Sequence, residues 1–246
     1  MRIIYGVDVG GSGVKGAPVD VDAGKLTRRR TRVPTPQPST PDAVFDVIAE
    51  LVAGEVWEGP LGVAIPVVVT NGVARSAANV DPAWIGTDVR AALSERCGRA
   101  VVVLNDADAA GMAEMRFGAG RGRRGVVIVL TFGTGVGSAV FADGKLVPNT
   151  EFGHLTFRGK DAESLIAARL VEENDVSLKK WGGRVRSYLD GLCRVFSPTL
   201  IVFGGGISAR FDDFAKLIEV DCEVVPATLR NQAGIVGAAL AAVATE

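Results

Sequence analysis

The chain has 246 residues, 48% hydrophobic and 22% charged, with a formal net charge of −1. That is the composition of an ordinary globular chain, long enough for one large domain or two smaller ones, and no apolar stretch approaches the roughly 20 residues needed to cross a bilayer. Near-neutral charge removes any global attraction to nucleic acid or acidic membranes, so neither is expected as a partner, and a polyanion has to be met by a local basic patch.

The first half opens on strands near 3–9, 13–20 and 26–33. Because the first strand starts at Ile3, no charged region and long apolar core of a secretory leader stands before it, and a cytoplasmic location is expected. Three scattered cysteines (Cys97, Cys193, Cys222) without C-x-x-C spacing fit the same compartment as buried, reduced thiols. Pro34, Pro36, Pro38 and Pro41 break regular structure, and Thr40-Pro41-Asp42 then opens a helix with Val44, Val47, Ile48 and Leu51 on one face. A strand Leu61–Ile65, a helix from about Asp88 to Gly98 and a buried strand Val101–Leu104 complete a βββαβαβ series whose first three strands are antiparallel. The second half predicts a helix near 107–117, a strand Val126–Thr131, a glycine turn and a hairpin at Asp143-Gly144. Helices near 161–174 and 184–196, a strand Leu200–Phe203, another Gly-rich turn and a closing helix from about Gly234 follow.

Two of these segments say nearly the same thing. Val7-Asp8-Val9-Gly10-Gly11-Ser12-Gly13 leads through an apolar run to Asp22-Ala23-Gly24 and Lys25-Leu26. Leu130-Thr131-Phe132-Gly133-Thr134-Gly135-Val136-Gly137-Ser138 leads likewise to Asp143-Gly144 and Lys145-Leu146. Two unrelated hairpins would share the turn signal, but here strand, loop chemistry and turn recur in the same order. Two such halves resemble the architecture of actin, hexokinase and Hsp70. The expectation is therefore an α/β, duplicated actin-like (ribonuclease H-like) fold, with two lobes around a central cleft. The lobes are expected at 1–105 and 106–233, the closing helix (about 234–246) being a candidate to pack back on the first.

Gly11-x-Gly13-x-x-Gly16 satisfies the letter of the dinucleotide fingerprint, which needs a helix after the loop to hold the pyrophosphate. Val14–Val19 alternates as a strand, so that reading fails, and no G-x-x-x-x-G-K-[ST] is present. What remains is a turn that exposes backbone N–H groups as an anion-binding concavity, with Ser12 and the point charge of Lys15 added. Thr131, Thr134 and Ser138 supply hydroxyls around the second loop, and Gly204-Gly205-Gly206 follows another apolar strand. Three such turns point to phosphate. Asp8, at the end of an apolar strand, needs either a partner or a cation, and Mg²⁺ bound partly through water suits it; a turn-capping role is the alternative.

Asn105-Asp106-Ala107-Asp108 follows the strand at the junction of the halves. Either Asn105 or Asp106 caps the next helix, or Asp106 takes the proton of an attacking hydroxyl, as phosphoryl transfer requires; the spacing permits both. Glu151-Phe152-Gly153-His154 holds the only histidine. A carboxylate beside an imidazole suits neighbouring sugar hydroxyls, whereas a lone histidine is as readily structural, and no nearby cysteine or histidine completes a metal set.

Taken in order, Asp8-x-Gly10-Gly11-Ser12-x-x-Lys15, Asn105-Asp106-Ala107, Gly133-Thr134-Gly135-Val136-Gly137, Glu151-x-Gly153-His154 and Gly204-Gly205-Gly206 resemble the ROK family of sugar kinases and repressors. The segments 77–88, 147–155 and 232–239 resemble the branch of that family that uses polyphosphate. The resemblance implies phosphorylation of glucose by inorganic polyphosphate or ATP with Mg²⁺, in a protein expected to be a homodimer. It implies Asp106 as catalytic base, and Asn79, Asn105, Asp106, Glu151, His154 and Glu163 as the sugar set. Asp8, Gly10, Gly11, Ser12, Gly13, Lys15, Thr131, Gly133, Thr134, Gly135, Gly137, Gly204, Gly205 and Gly206 would hold the donor. Two departures stand out. Leu155–Ala162 lacks the zinc-binding cysteines of many members, so no zinc site is expected, and Val67 occupies a position where glycine is usual, putting the sugar pocket in question.

Polyphosphate would need lysines and arginines along a groove, for which Arg28-Arg29-Arg30, Arg32, Arg121, Arg123 and Arg124 are candidates; solvated loops are the alternative. A strictly ATP-dependent hexokinase for glucose or mannose, and a non-catalytic sugar-binding regulator, are the competing readings. A repressor of the family would carry an N-terminal helix-turn-helix, which a first strand at Ile3 does not suggest.

Overall fold

The computed structural model describes residues 1–173 and 175–243. The chain forms two compact units, Met1–Ala113 with the C-terminal stretch from Gln232, and Glu114–Asn231.

The first unit holds β1 (Ile3–Gly10), β2 (Gly13–Asp20), β3 (Lys25–Leu26), β4 (Thr31–Val33), α1 (Pro41–Val52) and β5 (Leu61–Ile65). These are followed by the small hairpin β6 (Val69–Thr70) and β7 (Val73–Ala74), then α2 (Val89–Cys97), β8 (Val101–Asn105) and the start of α3 (Asp106–Phe117). Its main sheet runs β3-β2-β1-β5-β8, with β4 also on β2. β1 and β2 are antiparallel, whereas β1, β5 and β8 are parallel. One face carries the core of Tyr5, Val7 and Val9 with Phe45 and Ile48 of α1 and the fully buried Trp84. The C-terminal helix (Ala233–Val243) packs on β1, β5 and β8. Local signals act as read: the Thr40 hydroxyl accepts from Ala43 N and caps α1, Asp88 caps α2, and Gly98 closes α2 in the left-handed conformation. The single strand expected over 26–33 is two short strands, because the chain leaves β2 through the basic run Arg28–Arg30.

The second unit holds β9 (Val126–Phe132), β10 (Val136–Ala142), β11 (Lys145–Val147), the hairpin β12 (Thr156–Phe157) and β13 (Lys160–Asp161), and the short helices α4 (Glu163–Ile166) and α5 (Arg169–Glu172). α6 (Leu178–Phe196), β14 (Leu200–Gly204) and β15 (Val224–Pro226) follow. The sheet order β11-β10-β9-β14-β15 matches the first sheet strand for strand, with β9–β10 antiparallel and β9–β14–β15 parallel. The repeat is therefore a real duplicated half-fold. Two helical expectations are corrected here. Of the helix predicted over 161–174, position 174 lies outside the described residues and 161–173 form a hairpin strand and two short helices, because the Arg169 N–H leaves the helical ladder to donate to Gly133 O at 3.2 Å. The helix expected over 184–196 is α6, which begins at 178, capped by Ser177, with the Gly182-Gly183 pair accommodated inside it.

Buried Glu114 ties the second unit together, accepting from the N–H groups of Ala119 (2.9 Å), Thr228 (3.1 Å) and Leu229 (2.7 Å). The thiols of Cys193 and Cys222 lie 3.2 Å apart, and burial pushes Cys222 up to about 12. Among the described residues no helix is long and apolar enough to cross a membrane.

Candidate active site

In the first unit, the turn between β1 and β2 is tight, Gly10 lying opposite Gly13. It is held from outside itself. Arg32 on β4 donates from Nη2 to Ser12 O at 2.6 Å, with its guanidinium against Gly13, and Thr35 Oγ1 donates to Gly10 O at 2.5 Å. Asp8 has its partner: Lys15, directly across the ladder, donates from Nζ to Oδ2 at 3.1 Å, with both side chains largely buried. On its other side the carboxylate meets the first turn of the C-terminal helix, where a Cβ on Gly234 would stand 2.8 Å from Asp8 Cγ. A carboxylate so placed gains from the positive end of that helix as well as from Lys15.

Asn105 ends β8 almost fully buried. Its Oδ1 accepts from Ala107 N (2.9 Å) and Asp108 N (3.1 Å), so it caps α3, while Nδ2 donates to Val67 O at 3.2 Å. Asp106 stands at the first position of α3, partly buried, with Oδ1 accepting from Ala107 N at 2.8 Å. The capping alternative is thus realised by Asn105, leaving the Asp106 carboxylate oriented at a helix N-terminus. Val67 is 2% exposed and packed in the apolar core, so its side chain is core and its carbonyl serves Asn105. Asn79 lies exposed in the loop before a short helical turn capped by Asp81 and anchored by Trp84, whose Nε1 donates to Ser39 O at 2.8 Å.

In the second unit, three of the sequence candidates converge. Glu151 and His154 flank a single 3-10 turn, with His154 Nε2 3.9 Å from Glu151 Oε2 and Nδ1 3.0 Å from Asp161 Oδ2. Burial raises the Glu151 carboxyl above its ordinary range; His154 opposes this and Glu163 adds to it. Glu163 also accepts from Val136 N at 3.3 Å, joining this cluster to the end of the second glycine loop. Gly153 has a steric reason: a Cβ there would fall 2.3 Å from Val136 O.

The loop Gly133–Gly135 is clamped by Arg169, whose Nε donates to Thr134 O at 3.0 Å and whose backbone N–H donates to Gly133 O. Thr134 is exposed, and Thr131 and Gly137 are a register pair at the base of the loop. The third turn lies against the same base, since Gly205 has φ +87° and a Cβ would fall 2.0 Å from Phe132 O. Gly204 ends β14, and Gly206 begins a 3-10 turn with open space around it. One sequence candidate falls outside: Ser138 is buried and spends its hydroxyl on Thr150 O (2.7 Å) and Phe152 N (3.0 Å). Asp161, Arg169 and the loop-holding role of Arg32 were not predicted. Of the remaining basic candidates, Arg123 pairs with Glu223 at 2.7 Å, in the turn that also carries Arg121 and Arg124.

Among the described residues no group of three or more His, Cys, Asp and Glu side chains is arranged to hold a metal ion. Asp8 beside the Gly10–Gly13 turn does fit Mg²⁺ in its usual nucleotide-site mode, in which one or two carboxylates, water and donor phosphates share the ion.

Known proteins carry the same pattern. The chain is 53% identical over 241 residues to a polyphosphate glucokinase of Mycobacterium tuberculosis, covering 98% of this chain and 91% of that protein. It superposes with TM-score 0.96 and 45% identity, over the whole of both chains, on the inorganic polyphosphate/ATP-glucomannokinase of Arthrobacter sp. strain KM. A ROK family glucokinase from Streptomyces griseus, solved with glucose and AMPPNP, matches at TM-score 0.84 and 25% identity, covering 98% and 99% of the two chains. The ROK family model matches residues 4–167, and with these relatives it shows that the chain belongs to the ROK family.

Proposed function

We propose that the protein is a glucokinase that transfers a phosphoryl group from inorganic polyphosphate to the 6-hydroxyl of glucose. ATP serves as a second donor. The observation that carries the sugar reading is the Glu151–His154–Asp161 cluster, joined through Glu163 to a glycine loop. The similarity to polyphosphate glucokinases and to the polyphosphate/ATP-glucomannokinase supports the donor.

In this reading the hydroxyls of glucose are held by Glu151, His154 and Glu163, with Asn79 and the second N–H of the Asn105 amide as further donors. Asp106 accepts the hydroxyl proton as the sugar oxygen attacks the terminal phosphorus. The bond from that phosphorus to the bridging oxygen breaks, and the shortened polyphosphate departs with the bond's electrons. Asn105, by capping α3, fixes where the Asp106 carboxylate stands. Backbone N–H groups of Gly10–Gly13 and Gly133–Gly135, with Ser12, Lys15, Thr131, Thr134, Gly137 and Gly204–Gly206, hold donor phosphates. Mg²⁺, held by the donor with Asp8 as its protein carboxylate, would supply charge neutralisation. A cytoplasmic location and a homodimeric state belong to the same reading.

The test is formation of glucose 6-phosphate with Mg²⁺ and either polyphosphate or ATP, repeated with mannose. Activity with ATP alone would overturn the donor assignment. Asp106→Asn should lower kcat by about 10²–10⁴ while glucose binding, followed by calorimetry, persists; a fully active variant removes Asp106 as base.

A further inference from the structure

At the edge of the first sheet, Lys25, Arg28, Arg29, Arg30, Arg32 and Gln232 line an open groove of about 760 Å³. Five of the eight lining residues are cationic, in a protein whose formal net charge is −1. Glu55 pairs with Arg28, and Asp22 with the N-terminal amine. Glu55 thus offsets Arg28, but among the described residues no acidic one lines the groove, which still concentrates positive potential that the chain as a whole does not have.

Its extent along the sheet edge follows from the backbone register of its lining residues. Arg32 pairs with Lys15 on β2, and Lys25 pairs with Asp20 further along the same strand. At ~3.3 Å per residue those stations are roughly 17 Å apart. One end is joined to the first glycine loop, because Arg32 Nη2 donates to Ser12 O and its guanidinium lies against Gly13. The other end leads away from that loop. A groove of this length is longer than the triphosphate of a nucleotide, and planar guanidinium groups suit phosphate oxygens.

We propose that this groove is the track for the distal phosphates of an inorganic polyphosphate chain whose terminal phosphate is held at the Gly10–Gly13 loop. The proposal rests on the donor assignment above and deepens it: the groove selects long polyphosphate over ATP and over short chains. Arg32 belongs to both the loop and the groove, so the test leaves it in place.

The experiment compares wild type with Lys25→Glu/Arg29→Glu and the milder Lys25→Gln/Arg29→Gln. Long-chain polyphosphate, tripolyphosphate and ATP serve as donors, and direct binding of long-chain polyphosphate is measured across a salt series. The charge-reversed protein should raise KM for the long chain at least tenfold and weaken its direct binding to match. KM for ATP and tripolyphosphate, and the melting temperature, should stay within error of wild type. The neutral variant should fall between. An unchanged long-chain KM and binding constant overturns the groove, and so does an equal loss with all donors. Binding of a single-stranded oligonucleotide of matched charge as tightly as polyphosphate also overturns it, marking a general polyanion surface. A wild-type protein that makes no glucose 6-phosphate from polyphosphate would instead overturn the donor assignment.

Discussion

Gly153→Ala is a sharp test of how the turn carrying Glu151 and His154, the proposed sugar contacts, is held. The added methyl would stand 2.3 Å from the Val136 carbonyl oxygen, against an ordinary contact of at least 3.4 Å, so the turn carrying Glu151 and His154 must retreat by about 1 Å. The obstacle is backbone at the start of β10, which cannot swing aside as a flexible side chain would. Overpacking of this kind costs about 1–3 kcal/mol. At roughly 2–4 °C per kcal/mol for a chain of this size, the melting temperature should fall by about 2–12 °C. Because a displacement of ~1 Å at positioning groups costs up to about 10²-fold, kcat/KM for glucose should fall further than stability alone would suggest. Gly191→Ala is the matched control, exposed inside α6 with nothing near its Cβ position. It should gain about 0.5–1 kcal/mol from reduced backbone freedom in the unfolded chain. Thermal melts and glucose saturation curves on both variants decide the matter. A Gly153→Ala protein that melts with wild type and keeps its glucose KM refutes the steric argument.

Glu151 makes a prediction about pH. Burial, opposed by His154 and reinforced by Glu163, lifts its carboxyl above the ordinary value of 4.5. A folded-state value above the unfolded one means the group's contribution to stability is fully present below about pH 4.5 and is lost as pH rises through the lifted value. Glu151→Gln should therefore gain melting temperature relative to wild type as pH rises across that window, while glucose KM worsens throughout; parallel melting curves would contradict the shift. Glu114→Ala should destabilise the second unit by about 3 kcal/mol or more, because three backbone N–H groups lose a charged acceptor that is itself buried. Urea titration measures this, and a loss under 1 kcal/mol would show that water replaces the carboxylate without penalty.

The first sheet was legible because its signals are local. Thr40, Asp88 and Gly98 act within a few residues of themselves, and the strand Leu61–Ile65 is buried along its whole length, so both patterns survive without knowledge of the partner. The same is true of the repeat, since each copy is a strand, a glycine turn and a hairpin read within about twenty residues. The failures share the opposite property. The region 161–174 reads as one helix by its apolar content, yet Ala162, Ile166, Ala167 and Ala168 are buried while the backbone at Arg169 turns aside for Gly133, 36 residues upstream. A helix that gives up an internal hydrogen bond to a distant loop leaves no trace in its own periodicity.

The candidate site divides along the same line, and the division bears on how the two halves came to differ. Turn chemistry picked out the glycine turns and the carboxylates, but not what braces them. The first turn has four residues between Val9 and Val14 and is held by Arg32 and Thr35 from the strand edge. The second has three between Phe132 and Val136 and is held by Arg169 from α5. Arg32 lies on β4 beyond the matched hairpin, and Arg169 lies in the helical insertion after β13; neither has a counterpart in the other half. The repeated strand order sets where each loop stands, and the unrepeated segments set its shape. One brace carries a neighbouring groove of arginines, and the other sits six residues beyond Glu163 of the sugar cluster. Under that arrangement, changing Arg32 should alter the use of donors more than the affinity for glucose.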